Sequence, residues 1–388
     1  MFRTVPVCSC VFERGFVMNP FADVGRESRD SANSSGQRNA KEPSLCVPPV
    51  LVEARHLSRD FVSPGGKRVQ AVSDVSLEIR EGETLGLVGE SGCGKSTLGR
   101  LLIRSLKPTS GEVRYRGQSL GEMTEKEFRA MRREMQMIFQ DPYASLDPRM
   151  TVRDLIAEPL EALSRGEKRE ITRRVLEVMG ACGLPEEFLY RYPHQFSGGQ
   201  RQRIGIARAI AAGPRFIVCD EPVSALDISV QNQILNLLRE LKRSGGRRSD
   251  EVSKPFGETG PSGGEQSPGK LTLLFISHDL SVVRYLSDRV CVMFLGKICE
   301  TGPVEAVYGH PRHPYTRFLL EAVPEPDPRK RGREENLLRG DPPSPADPPS
   351  GCRFRTRCPF ARERCAREEP PLERDGDTGA DFACFYPQ

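Results

Sequence analysis

No stretch of this 388-residue sequence approaches the ~20 consecutive apolar residues that a bilayer-spanning helix requires. The mildly apolar start, MFRTVPVCSCVFERGFVMNPF, is broken by Glu13 and Arg14, so it reads as no secretory signal, and Met18 is an alternative start. Charge of one sign is also scarce. A net charge of +4 gives no support to a general nucleic-acid binder, which is usually far more basic. Apolar residues make up only 37% of the chain, beside 36 Gly and 32 Pro, which fits an ordered core with sizeable unstructured additions. With neither span nor signal, the chain is expected in the cytosol, where its 12 Cys are reduced thiols or metal ligands rather than disulfides.

What is present begins with organisation. Residues 1 to about 46 are polar and without period, and predict disorder. From Val50 short apolar strands alternate with helices. TLGLVG (Thr84–Gly89), RFIVCDEP and LTLLFISHD read as buried strands, and TLGRLLIRSL (Thr97–Leu106) reads as a helix with Leu98, Leu101, Leu102 and Leu106 on one side. That alternation predicts a largely parallel α/β sheet. Ser244–Lys270 holds seven Gly, three Pro and five Ser, and reads as a flexible surface insertion. Leu338–Ser350 reads as a Pro-rich linker, and the RKRGR run at 329–333 as a solvated one.

Three stretches carry chemistry. GESGCGKST (Gly89–Thr97) matches G-x-x-x-x-G-K-[ST] between a strand and a helix, the context that a phosphate cradle needs. Gly89, Gly92 and Gly94 let the backbone N–H groups of the loop, which also holds Glu90, Ser91 and Cys93, close on a β-phosphate. Lys95 neutralises β- and γ-oxygens, and Ser96 is placed to ligate Mg²⁺. At a helix N-terminus the Cys93 thiol pKa should fall, which would make it reactive without nucleotide, but the favoured reading is the plainer one, a small residue that fits. FIVCDEP delivers Asp220 and Glu221 to a strand end, Asp220 for Mg²⁺ and Glu221 to deprotonate the attacking water. A third strand end brings His278 to the same rim. QFSGGQRQRIGIARA (Gln195–Ala209) is a second anion grip, a bare helix N-terminus after Ser-Gly-Gly.

In this order the pieces resemble the nucleotide-binding subunits of ABC transporters, from about Val50 to the C-terminus without the insertion. The resemblance implies an α/β P-loop ABC nucleotide-binding domain, with a RecA-like core, a β-subdomain and an α-helical subdomain. It would span 47–310 and be followed by a Cys-containing extension at 311–388. It makes Gly89–Thr97 the Walker A loop, with Thr97 closing it, FQDP the Q-loop with Gln140, FSGGQ (Phe196–Gln200) the signature, Phe216–Glu221 Walker B, SALD (Ser224–Asp227) the D-loop and His278 the switch histidine. Gln140 joins Ser96 and Asp220 around Mg²⁺, and Phe61 is the candidate to stack on adenine. Such subunits pair head to tail, so Ser197, Gly198, Gly199 and Gln200 would touch an ATP held by another chain. DPYASLDPRMTVRDLIAEPL looks like the surface that accepts short helices of a transmembrane partner.

The wording is similar to the oligopeptide and dipeptide permease branch, in IFQDPYASLDPRMTV, FISHDLSVVRYLSDRV and HPRHPYTRFLLEAVP, Tyr315 included, and nearer its second ATPase than its first. This implies a peripheral ATPase on the cytoplasmic face of the membrane, with a paralogous ATPase as heterodimer partner, two permease chains, a solute-binding protein outside and no nucleic acid. Nickel chelates or glutathione remain alternative cargoes, and a soluble non-transport ABC ATPase the alternative role. In the tail, Cys352, Cys358, Cys365 and Cys384 lack the C-x2-C pairs of zinc ribbons, and on their own read as structural thiols or, with arginines interleaved, as a thiolate metal site. The resemblance favours a [4Fe–4S] cluster there, with zinc the alternative. Cys219 and Cys291 sit in apolar strands as core residues.

Overall fold

A computed structural model describes residues 48–63, 65–163, 168–244, 270–323 and 340–388. The segment expected to be disordered at 1–46, the interior of the Ser244–Lys270 insertion and the RKRGR run lie outside the described residues.

Two sheets organise the described residues. One is antiparallel and joins β1 (Val50–Val62), β2 (Arg68–Arg80), β4 (Ser110–Tyr115) and β5 (Gln118–Ser119) in the order β2-β1-β4-β5. The other contains β3 (Thr84–Val88), β6 (Met135–Ile138), β7 (Phe216–Asp220), β8 (Thr272–Ile276), β9 (Arg289–Phe294), β10 (Lys297–Pro303), β11 (Glu373–Arg374) and β12 (Asp381–Phe382). Its order is β11-β12-β10-β9-β3-β8-β7-β6. The five strands from β9 to β6 run parallel, and β10, β12 and β11 continue the edge antiparallel.

Both faces of the parallel part are covered, which explains why its strands read as continuous apolar runs. Every residue of β3, β7 and β8 is buried. Successive side chains point to opposite faces. Leu85, Leu87, Phe216, Val218, Leu274 and Ile276 therefore enter one core, beneath α1 (Lys95–Leu102), α2 (Glu125–Met131) and the antiparallel sheet. Val88, Ile217, Cys219, Leu273 and Phe275 enter the other, which extends through α3 (Val152–Leu163), α4 (Lys168–Ala181), α5 (Gly198–Ala211), α6 (Ile228–Arg243) and α7 (Leu280–Leu286). Each fully buried Leu, Ile or Phe contributes about 1.5–3 kcal/mol. Helices α3, α4 and α5 pack on one another as the helical layer.

The helix expected over Thr97–Leu106 is shorter. It starts at Lys95 and stops at Leu102, because Arg104 takes a left-handed φ of 53°. Leu106 is left only partly buried.

The C-terminal region is tied into the main sheet. Helices α8 (Val304–Gly309) and α9 (Pro314–Glu321) follow β10, and α10 (Glu363–Arg367) leads to β11 and β12. Glu300 of β10, wholly buried, accepts the backbone N–H groups of Arg312 (2.8 Å) and His313 (3.0 Å). Burial pushes its carboxyl above the usual range, against the pull of those hydrogen bonds. Phe354, 1% exposed, lies against the rings of Phe294, Tyr315 and His313. The described part of the Pro-rich linker is tied down as well, since Pro345 accepts a hydrogen bond from the Gln70 N–H at 3.0 Å.

Candidate functional site

Strand register assembles the site. Leu87 of β3 and Asp220 of β7 both pair with Ile276 of β8, and Cys219 pairs with Ile138 of β6. Gly89, Gln140, Glu221 and His278, each one or two residues past those strands, must therefore emerge along one carboxyl edge of the sheet, where open α/β sheets bind ligands.

The cradle lies at the start of α1. Gly94 is the N-cap at φ 106°, and a Cβ there would run into the Ala71 carbonyl oxygen, so only glycine lets the loop close. No acidic residue occupies the first turn, which leaves the N–H groups and the helix dipole facing an anion unopposed. Lys95 is 5% exposed and its ammonium donates to the carbonyls of Gly89 (2.7 Å) and Glu90 (2.9 Å). Ser96 Oγ donates to Asp220 Oδ1 at 2.7 Å. Asp220 is 1% exposed, and burial raises its carboxyl while the Ser96 hydrogen bond and Arg100 oppose the rise. Hydroxyl and carboxylate together are a hard-oxygen pair suited to Mg²⁺.

Cys93 packs inside the loop. Its side chain is buried at 4% exposure, and desolvation pushes the thiol up, outweighing the nearby Lys95. The plainer reading, a small residue that fits the loop, is the one that agrees with this burial, and the acidic, reactive thiol does not.

Glu221 stands at the next strand end with φ 44°, a left-handed conformation that costs a non-glycine residue on the order of 1 kcal/mol. Three hydrogen bonds hold it there: its N–H donates to the Ile276 carbonyl (3.0 Å), and its carbonyl accepts from Ser224 Oγ (3.1 Å) and from the Ser224 N–H (3.3 Å). Gln140 Nε2 donates to Glu221 Oε2 at 2.9 Å, and His278 Nδ1 lies 3.4 Å from the same oxygen. Gln140, Glu221, Ser224 and His278 line one open cavity, and Gly198 of α5 borders it. A carboxylate gripped by an amide and an imidazole at a cavity wall is equipped to orient a water and take its proton.

The second grip is built as a capped helix. Ser197 is the N-cap of α5, its Oγ accepts the Gln200 N–H at 3.3 Å, and Gln200 returns a contact to the Ser197 N–H at 3.0 Å. A Cβ on Gly199 would lie 2.5 Å from Val230 Cγ1, so α5 and α6 approach through a glycine. Asp227 is the N-cap of α6. Arg201 stacks 3.7 Å over the Tyr143 ring, joining the start of α5 to the segment after Gln140. Phe61 lies half-buried near the end of β1, with Arg59 4.8 Å over its ring.

Cys352, Cys358, Cys365 and Cys384 come together around a single cavity, beside Phe354 and His313. Among the described residues, however, no three His, Cys, Asp or Glu are grouped as ligands of a metal ion. Burial keeps the thiols of Cys352, Cys358 and Cys384 raised, the latter two to about 11. A metal would have to displace those protons as it bound. The all-thiol donor set in an apolar pocket fits a sulfur-ligated metal in chemistry. Cys219 and Cys291 are buried in β7 and β9.

Two contacts at the cradle escape sequence reasoning, one of them made by Tyr315 of the C-terminal stretch. Tyr315 Oη accepts the Glu90 N–H at 2.9 Å, and Arg357 Nη1 donates to both Glu90 carboxylate oxygens at 2.9 Å. No local pattern signals contacts that span 225 and 267 residues.

Residues 72–224 match the ABC transporter family, and residues 299–365 match the oligopeptide/dipeptide transporter C-terminal region. The chain is 49% identical over 336 residues to a putative oligopeptide transport ATP-binding protein, YkfD, of Bacillus subtilis, covering 86% of this chain and 94% of that one. It is 48% identical over 334 residues to the oligopeptide transport ATP-binding protein OppF of Escherichia coli, covering 84% and 93%. Among solved structures, a dimeric, post-hydrolysis ATP-binding cassette bound to ADP and Pi superposes with a TM-score of 0.55 at 28% identity, over 66% of this chain and 99% of that one. Among the described residues no helix is long and apolar enough to cross a membrane.

Proposed function

The chain belongs to the ABC transporter family of ATP-binding proteins, and from that membership we propose that it hydrolyses ATP to drive uptake of di- and oligopeptides through a membrane permease. The observation that carries the catalytic reading is the meeting of Gln140 and His278 on one oxygen of Glu221, along the sheet edge that also bears the phosphate cradle.

In this reading Lys95 exchanges its contacts with Gly89 and Glu90 for β- and γ-phosphate oxygens, and the α1 N–H groups hold the β-phosphate. Gln140 and His278 fix the Glu221 carboxylate so that it orients the attacking water and accepts its proton. Ser96, Asp220 and Gln140 would hold Mg²⁺, which supplies positive charge to the phosphate oxygens when bound. Phe61 stacks on adenine. The Ser197–Gln200 helix start serves the ATP of a second ATPase subunit, head to tail, with a paralogous chain as the favoured partner and Asp227 at the junction. Phosphate release removes the anion that bridges two positive surfaces, and the dimer opens. Two permease chains, and indirectly an external solute-binding protein, complete the transporter, with this subunit peripheral on the cytoplasmic face. The exposed Tyr143 segment after Gln140 carries the motion to them.

The four tail cysteines would ligate a [4Fe–4S] cluster, with zinc as the alternative, supplying a fixed charge in the pocket. Protein purified both aerobically and anaerobically that lacks iron and visible charge-transfer absorbance would exclude the cluster, and zinc analysis of the same samples decides the alternative.

The direct test of the ATPase site is Glu221→Gln. It stops turnover yet retains an ATP-bound dimer; undiminished hydrolysis would remove Glu221 as the base. The transport reading is tested by affinity capture from detergent-solubilised membranes. Two multi-spanning chains and a second ATPase are expected, whereas soluble partners alone would refute it.

A further inference from the structure

A carboxylate is out of place in a loop that binds a triphosphate. Glu90 sits inside the Gly89–Thr97 cradle, and its charge adds to the repulsion that ATP must overcome. Three groups hold it. Its N–H donates to Tyr315 Oη at 2.9 Å, its carbonyl accepts from Lys95 Nζ at 2.9 Å, and both carboxylate oxygens accept from Arg357 Nη1 at 2.9 Å. Tyr315 and Arg357 both come from the C-terminal region, far from Glu90 in sequence.

Both side chains are buried. Tyr315 is fully buried, with its ring 4.8 Å from that of Phe294 and 5.3 Å from that of Phe354. The Arg357 side chain is 7% exposed, and its backbone N–H donates to the Phe354 carbonyl at 3.0 Å, so the same aromatic cluster places both. Arg353, four residues earlier, donates to the Leu295 carbonyl and, at 2.6 Å, to Gln70 Oε1. Those contacts pin the segment against β9 and β2, the strands beside the cradle. A largely buried, charge-assisted pair in a fixed frame is one of the stronger electrostatic contacts a protein makes.

We propose that Arg357 is a positioning residue of the ATP site: it cancels the charge of Glu90 and, with Tyr315, fixes the Glu90 backbone against Lys95, so that the C-terminal extension completes the phosphate cradle. Arg357 touches no reacting atom. Its loss therefore acts on ATP affinity and leaves the chemical step in place. This rests on Gly89–Thr97 being the ATP cradle.

The test uses the full chain, with ATP binding measured at equilibrium and KM and kcat measured separately. Arg357→Gln leaves the Glu90 carboxylate uncancelled and is expected to weaken ATP binding about tenfold and raise KM alike, with kcat kept within about twofold. Arg357→Gln combined with Glu90→Gln removes both charges and is expected to regain native affinity within about twofold. If Arg357→Gln binds ATP as tightly as the native chain, or if the double variant stays as weak as the single, the proposal is overturned, because an arginine that merely packs the tail is not rescued at Glu90. If the single variant does not fold, the double variant decides alone: native ATP affinity supports charge cancellation, and weak binding or failure to fold overturns it. Failure of the cradle reading looks different, since the native chain would then not bind ATP.

Discussion

Gly199→Ala separates two reasons for a glycine at the start of α5. One is packing. The added methyl would lie 2.5 Å from Val230 Cγ1, whereas carbons at rest sit about 3.5–4.0 Å apart, so the helices must part by about 1 Å. Val230 is β-branched and lies in the first turn of α6, where its rotamer is stiff, so the strain passes into the backbone at Asp227 and the loop before it. Overpacking of this size costs about 1–3 kcal/mol. The other reason is ligand approach, in which a side chain would fend off the phosphate itself. Denaturant unfolding and ATPase rate, measured on Gly199→Ala and on Gly199→Ala with Val230→Ala, tell them apart. Packing predicts a single variant less stable by about 1–3 kcal/mol and slow in hydrolysis, with both properties recovered largely by trimming Val230. Recovered stability with hydrolysis still lost assigns the glycine to ligand approach. A Gly199→Ala chain as stable as the native one would refute the close approach of α5 and α6.

Other outcomes follow from the same geometry. Gly94→Ala meets a backbone oxygen, that of Ala71, so ATP binding is lost and no side-chain truncation restores it, as equilibrium ATP titration will show. Asp220→Asn removes a carboxylate whose ionised form burial penalises while keeping an acceptor for Ser96. The nucleotide-free chain should melt higher even as ATPase falls, and a lower melting temperature would contradict the burial argument. Ser197→Ala deletes the cap of α5 and should cost about 1 kcal/mol in denaturant unfolding, whereas Ser197→Thr should cost less. Tyr315→Phe leaves the Glu90 N–H without its acceptor and should lower stability by about 1–3 kcal/mol.

Sequence reading reached the parts of the molecule whose causes are local. Gly-Lys-Ser between a strand and a helix, acids at the end of an apolar run and a Ser-Gly-Gly helix start are short patterns, each with a nearby physical reason. The ends of elements were less legible: nothing in the Leu-rich run foretells that Arg104 turns left-handed and stops α1. At Cys93 the helix start suggested an acidic thiol beside the plainer reading of a small residue that fits, and burial, which no local pattern shows, decides for the plainer one. The tail was hardest. Strands of two residues carry no period, yet β12 pairs with β10 at Glu300 and Thr301. The bond from Arg357 to Glu90 depends on the whole fold lying between them, and one arginine among many gives no sign of its partner.

That wiring has a consequence for synthesis. A chain leaves the ribosome N-terminus first, and its early parts begin to fold while the rest is still being made. The Gly89–Thr97 loop emerges long before Arg357 and the β12 strand that pairs with β10. Until then Glu90 faces the cradle uncancelled. In that proposal nascent chains, and chains cut short before Arg357, carry the ATP motif and yet compete poorly for cellular ATP, so nucleotide affinity reports that synthesis has passed Arg357.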